Sequence, residues 1–132
     1  MTRSKMREHI FKVLFRAPFY ERNELDEQIR LYFEEYHDVS ESDYEYMEKK
    51  ILNIADNLEE IDNKINEVSV GWPVDRLGKA ELSIIRLAVY EMLYDDDIPV
   101  NVAINEAVEL AKVYGSDDST SSFVNGVLAK LV

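Results

Sequence analysis

The sequence contains no cysteine. That excludes disulfides and thiolate zinc sites and fits a reducing, cytoplasmic compartment. Only three prolines and four glycines occur in 132 residues. No run of strict apolar–polar alternation bounded by turn residues stands out, so strands are not expected. No apolar run approaches the ~20 residues that a membrane helix needs. The N-terminus is charged and lacks an apolar h-region, which argues against a signal peptide. Histidine is limited to His9 and His37. No His-x-x-x-His pair, Gly-rich phosphate loop or Gly-x-Ser-x-Gly elbow occurs. Asp95, Asp96 and Asp97 are consecutive, so their side chains diverge, and they lack the spaced ligands and central glycine of a calcium loop. Glu34–Glu35 and Glu59–Glu60 are neighbours in helical segments and point apart. His9 is expected at an exposed or rim position. The expectation is a binding protein rather than an enzyme, with no catalytic, cofactor-binding or metal-binding residues.

What is present supports a folded chain. Hydrophobic residues make up 46% of the sequence, ordinary for a globular protein, and the length suits a single domain, residues 1–132. The formal charge of −12 argues at first against nucleic acid. It is unevenly spread. Residues 1–16 hold Arg3, Lys5, Arg7, Lys12 and Arg16 against Glu8 alone, a net of +4, so the other 116 residues carry −16. A basic end on an acidic body can steer a polyanion to one face and a basic protein to another.

The apolar spacing predicts an all-α protein. A first helix is expected from about Arg3 to Ala17, with Met6, Ile10, Val13, Leu14 and Ala17 on one stripe and Pro18 stopping it. Lys5, Lys12 and Arg16 project from the other side. Phe11 and Phe15 lie off the stripe, Phe11 completing the core. A second helix is expected from about Asn23 to Tyr36, with Leu25, Ile29, Tyr32 and Tyr36 inward. Ser42 is the candidate cap of the third, with Glu45 three residues on as in a capping box. From Tyr44 through Met47, Ile51, Ile54, Leu58, Ile61 and Ile65 to Val68, spacings of 3 and 4 alternate, a heptad seam over some 25 residues, roughly 37 Å. It predicts one unbroken helix with Ile54 and Leu58 buried. Gly71 breaks it, Trp72 before Pro73 is extended, and a short fourth helix runs from Pro73 to Gly78. The fifth, Lys79 to Tyr94, is apolar on most of its circumference, as a central helix should be. Asp95 to Asp97 form a turn. A sixth helix carries Ala103, Ile104, Ala107, Val108 and Ala111 and ends near Gly115. Ser116 to Ser122 read as a loop or capping region, and a last helix uses Phe123, Val127, Leu128 and Leu131. Two subbundles, 1–68 and 72–132, are expected. Gly126 inside a helix suggests close approach of a neighbouring helix, or else of a ligand.

The cationic first helix with aromatics beside it suits single-stranded RNA, whose bases need π-faces and whose backbone needs charge. An acidic helical scaffold that binds only proteins, with the basic helix as its docking surface, is the alternative. At the run Ala103-Ile104-Asn105-Glu106-Ala107-Val108-Glu109-Leu110-Ala111-Lys112, with Phe123-Val124-Asn125-Gly126-Val127-Leu128 downstream, the chain resembles the bacterial transcription antitermination factor NusB family. The likeness continues in the segment Leu77 to Met92 and in the opening Arg3 to Phe15. It covers essentially the whole chain, with 18–68 least constrained. No methyltransferase domain is expected after Val132, unlike RNA methyltransferases with a NusB-like N-terminal domain.

The resemblance implies seven helices and a defined role. Family members bind the boxA element of nascent ribosomal RNA leader transcripts as single-stranded RNA, together with the ribosomal protein NusE, in the transcription elongation complex, and suppress premature termination. Carried over by motif, the RNA-facing residues are Arg3, Lys5, Arg7 and Phe15 on the first helix, and Asp118, Ser119, Phe123 and Asn125 near the other end; Lys12 joins them as part of the cationic face. Ser4 and Met6 interrupt the cationic run, which implies weaker RNA binding by this chain alone and more reliance on the protein partner. Whether the free chain is a monomer or a homodimer stays open.

Overall fold

The computed structural model describes residues 1–17 and 20–132. Among these lie seven α-helices, the 3-10 turn Val74–Arg76 and no strand. The chain divides into two compact units, Met1–Asp56 and Asn57–Val132.

The first unit holds α1 (Arg3–Arg16), α2 (Arg22–Phe33) and α3 (Glu41–Asp56), with α3 packed on both others. Thr2 starts α1, its hydroxyl accepting the Lys5 N–H at 3.1 Å, which satisfies one of the amides that a helix start leaves open. Pro18, expected to stop this helix, lies outside the described residues. The core comes from the predicted stripes: Met6, Ile10, Val13 and Leu14 of α1, Leu25, Ile29 and Tyr32 of α2, and Met47, Ile51 and Ile54 of α3. Phe33 joins them, while α2 ends short of Tyr36, which is half-buried. The cap of α3 is Ser40 rather than Ser42. The Ser40 hydroxyl accepts the Asp43 N–H at 3.1 Å and its carbonyl accepts the Tyr44 N–H at 2.9 Å. Either serine could serve by chemistry, and Ser42 is instead tied to Ser40 through their hydroxyls at 3.2 Å.

The long third helix expected from the heptad seam is two helices. Asn57 leaves helical geometry at φ −109°, ψ 15°, and α4 (Leu58–Val68) starts anew from its carbonyl, which accepts the Ile61 N–H at 3.0 Å. The break falls at the Asp56-Asn57 pair, two residue types of low helix propensity; Asn57 makes no side-chain capping bond and the Asp56 carboxylate is held by Arg22 at 2.7 Å. Beside the break Leu58 is only half-buried, against expectation, while Ile54, Ile61 and Ile65 have no exposure. The boundary between units falls here rather than at 68–72.

In the second unit Gly71 takes φ +83°, a left-handed conformation that side-chain-bearing residues rarely adopt. It ends the chain's run after α4. The short helix expected from Pro73 is a 3-10 turn, Val74–Arg76, and Gly78 caps α5 (Lys79–Tyr94) instead of closing that turn. α5 packs on α4, α6 (Val100–Tyr114) and α7 (Ser119–Ala129). Ile84, Ile85, Leu87, Ala88 and Val89 are buried on it, yet Leu93 is 43% exposed, so its far end reaches the surface. Arg86 of α5 holds Asp62 of α4 through two bonds of 2.9 and 2.8 Å. Asp95 forms the expected turn, accepting the Asp97 N–H on its side chain. Ala103, Ala107 and Ala111 bury a narrow face of α6, which permits close helix packing. α7 begins four residues before Phe123 because Asp117 accepts the Ser119 N–H at 2.8 Å, and Thr120 is buried. The close approach expected at Gly126 occurs at Gly115. A Cβ there would sit 2.5 Å from the Ala111 carbonyl and 2.6 Å from Thr120 Cβ; at exposed Gly126 it would meet nothing within 4 Å.

Two predictions come from this packing. Ile54→Ala should lower the unfolding free energy by about 2–5 kcal/mol, and Leu58→Ala by clearly less, both measured by urea denaturation. Gly126→Ala should raise stability by about 1 kcal/mol, the helix-propensity difference, whereas Gly115→Ala should lower it; equal effects at the two glycines would refute the packing described.

Candidate nucleic-acid interface

On α1 the 3.6-residue period separates a buried stripe from a cationic side. Arg3, Lys5 and Arg16 are exposed and Lys12 is half-buried. Glu8 sits between the two lysines, 3.4 Å from Lys5 Nζ and 3.7 Å from Lys12 Nζ. These are solvent-facing pairs one helical turn apart, worth a few tenths of a kcal/mol each. The Arg16 guanidinium stands 5.4 Å above the Tyr32 ring. Phe15 is 40% exposed, its ring 6.2 Å from that of Phe11, which is in the core as expected. An exposed aromatic therefore stands on the same helix as three or four cations. Arg7 departs from this pattern. It is only 5% exposed, so its guanidinium is not presented at the surface with those of its neighbours. The spacing of Arg7 from Met6 and Ile10 places it at the edge of the apolar stripe, and its long stem goes inward.

His9 is also inward, correcting the expected rim position. It is 1% exposed, with Nδ1 2.9 Å from the Tyr32 hydroxyl. The rings of Tyr32, Phe33 and Tyr36 surround it edge-on at 5.8, 5.5 and 4.6 Å. Nε2 is buried with no hydrogen-bond partner. Burial pushes its pKa below the ordinary 6.5, and the positive charges of Lys5 and Lys12 push the same way, against weaker opposing pulls from Asp38 and Glu8. Sequence reading missed this because a histidine on a cationic helix looks polar; the signal was its position one residue before Ile10 on the stripe.

In the second unit the carried-over residues gather at the start of α7. Asp118 and Asn125 are exposed, Ser119 is exposed, and Phe123 is half-buried. Asp118 stands at the N-cap without a side-chain capping bond. Asp117 does that work, taking both the Ser119 N–H and its hydroxyl. Those bonds hold the Asp117 carboxyl below the usual carboxylate range. Phe123 faces Trp72, ring centres 6.4 Å apart and inclined at 51°. Trp72 and Asp117 were not singled out from the sequence as site residues. A large aromatic between Gly71 and Pro73, where no helix can hold it, was the available signal. Among the described residues no group of three or more His, Asp or Glu side chains is placed to hold a metal ion.

An all-helical chain with a cationic, aromatic-bearing helix on an acidic body is built as a binding protein. The NusB family model matches residues 4–132, and the chain belongs to that family of transcription antitermination factors. It is 51% identical over 130 residues to the transcription antitermination protein NusB of Agathobacter rectalis, covering 98% of each chain. It is 48% identical to that of Lachnoclostridium phytofermentans, over 100% of this chain and 99% of the relative. Among solved structures it is similar to T. maritima NusB, with TM-score 0.88 and 34% identity over 99% of this chain and 90% of that one. It is also similar to a chain in a complex of the antitermination factors NusB and NusE with dsRNA, with TM-score 0.82 and 30% identity over 99% and 97%.

Because the folded state lowers the His9 pKa, the folded state binds fewer protons than the unfolded chain below about pH 6.5. Stability from this group is present above that pH and is lost as the pH falls through it, by at most about 1.4 kcal/mol per pH unit. Urea denaturation at pH 7.5 and 5.5 should show this loss in the parent and a shallower one in His9→Phe. Parallel losses in the two would assign the dependence to other groups.

Proposed function

We propose that the chain works as an RNA-binding antitermination factor that, with the ribosomal protein NusE, holds boxA RNA of nascent ribosomal RNA transcripts in the elongation complex and so opposes premature termination. The observation that carries the reading is the exposed Phe15 on the same helix as the exposed Arg3 and Lys5 and the half-buried Lys12. An exposed ring for base stacking on a helix that also carries cations for phosphates suits single-stranded RNA. Membership of the NusB family supports it, as does the likeness to a NusB solved with NusE and dsRNA. In this reading Arg3, Lys5 and Lys12 meet phosphates and Phe15 stacks on a base. Arg7 acts from beneath, through the packing of the helix. Asp118, Ser119, Phe123 and Asn125 form a second contact region in the other unit. The protein partner, expected to be basic, is drawn by the second unit, where six Lys and Arg stand against fourteen Asp and Glu, a net of −8.

A cytoplasmic site of action follows from the same reading; no helix among the described residues is long and apolar enough to cross a membrane. A scaffold that binds proteins alone is the competing reading, and salt separates the two. Titrating a boxA-like RNA against the chain with NusE present, at two salt concentrations, should give steeply salt-dependent affinity. Lys5→Ala should weaken binding and lower the salt slope by about one unit. Phe15→Ala should cost about 1–3 kcal/mol with the slope unchanged. If both variants bind as the parent does, the RNA assignment fails and the scaffold reading replaces it.

A further inference from the structure

Around α1, Lys5, Lys12 and Arg16 fall within about 40° of one another and form a row roughly 16 Å long. The row ends at a hollow of about 170 Å³ that lies wholly within the first unit. Arg16 lines it from the last turn of α1, Gln28 and Leu31 from α2, Glu35 from just beyond α2, and Tyr20 from the connection between the helices. The walls are held. The Arg16 guanidinium lies 5.4 Å from the centre of the Tyr32 ring, whose hydroxyl is 2.9 Å from His9 Nδ1. The Tyr20 N–H donates to the Ala17 carbonyl at 3.0 Å. Among the described residues neither Arg16 nor Glu35 enters an ion pair, so a cation and an anion face the same hollow with both charges open to a ligand.

Such a lining suits a molecule with an anion for Arg16, a flat ring for Tyr20 and an uncharged donor for Glu35. An acidic peptide would meet Glu35 unfavourably, and a basic one would meet the row of three cations. A nucleotide satisfies all three walls, because its phosphate and its base carry the two kinds of group apart. Among the bases, adenine pairs an amino donor with the ring acceptor N7, the pattern that glutamine binds through two bonds. The amino group of cytosine suits a glutamate alone, and uracil has none. We propose that the hollow beside Arg16 is a subsite for an adenine nucleotide of the RNA strand, continuing the path that begins at Lys5 and Lys12. Arg16 meets the phosphate, the Tyr20 ring stacks on the base, and Gln28 and Glu35 read its edge. The site deepens the RNA part of the proposed function and rests on it for the polymeric form of the ligand.

The full chain, isotope-labelled, is titrated with adenosine, cytidine and uridine monophosphates and with inorganic phosphate, and the Gln28 side-chain amide and the Tyr20 backbone amide are followed by NMR. Adenosine monophosphate should shift both signals saturably and at least threefold more tightly than cytidine monophosphate, with no saturable response to the uridine nucleotide or to phosphate. An equal response to the three nucleotides, or a response to phosphate alone, overturns base recognition, and no response overturns the subsite. In RNA, one adenosine is moved along an otherwise all-uridine strand. At its best position it should tighten binding to the parent at least fivefold over the all-uridine strand, the discrimination expected of a bidentate pair. Gln28→Leu and Glu35→Ala should each bring that ratio close to one. Glu35 is exposed and Gln28 half-buried, and circular dichroism checks that both variants fold. A ratio near one in the parent, or one retained in both variants, overturns the proposal. If neither strand binds the parent, the RNA reading above fails, while the mononucleotide titration still decides the hollow.

Discussion

Met47, Ile51 and Ile54 of α3, and Ile61 and Ile65 of α4, have no solvent exposure, and each unit is assembled around its own set. A helix apolar on one stripe gains little by itself and must lay that stripe against other elements. In the first unit α1 and α2 meet this need by packing on α3; in the second α5 packs on α4 and carries α6 and α7 with it. Everything displayed outward follows from which face has been turned in. On α1, the burial of Met6, Ile10, Val13 and Leu14 is what leaves Lys5, Phe15 and Arg16 outside.

The same constraint explains two of the three polar residues, Arg7, His9 and Lys50, that the core of the first unit takes in. Arg7 and His9 neighbour buried apolar positions on either side, and a helix cannot turn one residue without turning those beside it. His9 is accommodated as a neutral ring by one hydrogen bond and three aromatic edges. The arrangement suits an uncharged imidazole, because nothing faces Nε2 that could accept a second proton's hydrogen bond. Cations close by on the surface add to that preference, so the electrostatics of the outer face and the protonation of the inner one are parts of a single field.

Much of this was legible in the sequence where periodicity or a steric rule decides. The stripe of α1, the nearly all-round apolar α5 and the left-handed glycine after α4 all rest on spacing or on a backbone conformation that few residues can adopt. The break at Asn57 was not legible, because the apolar spacing runs through it unchanged while the interruption falls at two residues of low helix propensity that spacing arguments ignore. The Ser40 cap and the early start of α7 at Ser119 depend on which of several adjacent hydroxyls and carboxylates wins a local competition. Gly115 and Gly126 looked alike in sequence; only the packing of Thr120 against the end of α6 distinguishes them. At the candidate site, charge asymmetry pointed to α1, but Trp72 and Asp117 gain their meaning from neighbours distant in the chain.

Glu8, sharing its carboxylate between Lys5 and Lys12, has an effect on selectivity that the strength of its bonds does not convey. A lone anion arriving at this face offers one charge in place of one already there and gains almost nothing by the exchange. A strand with several phosphates can occupy both lysines at once and leave the glutamate to water, the second contact forming at the high local concentration that the first creates. In the proposed function this shared pairing favours a polymer over small phosphates, because only a strand can take both lysines at once.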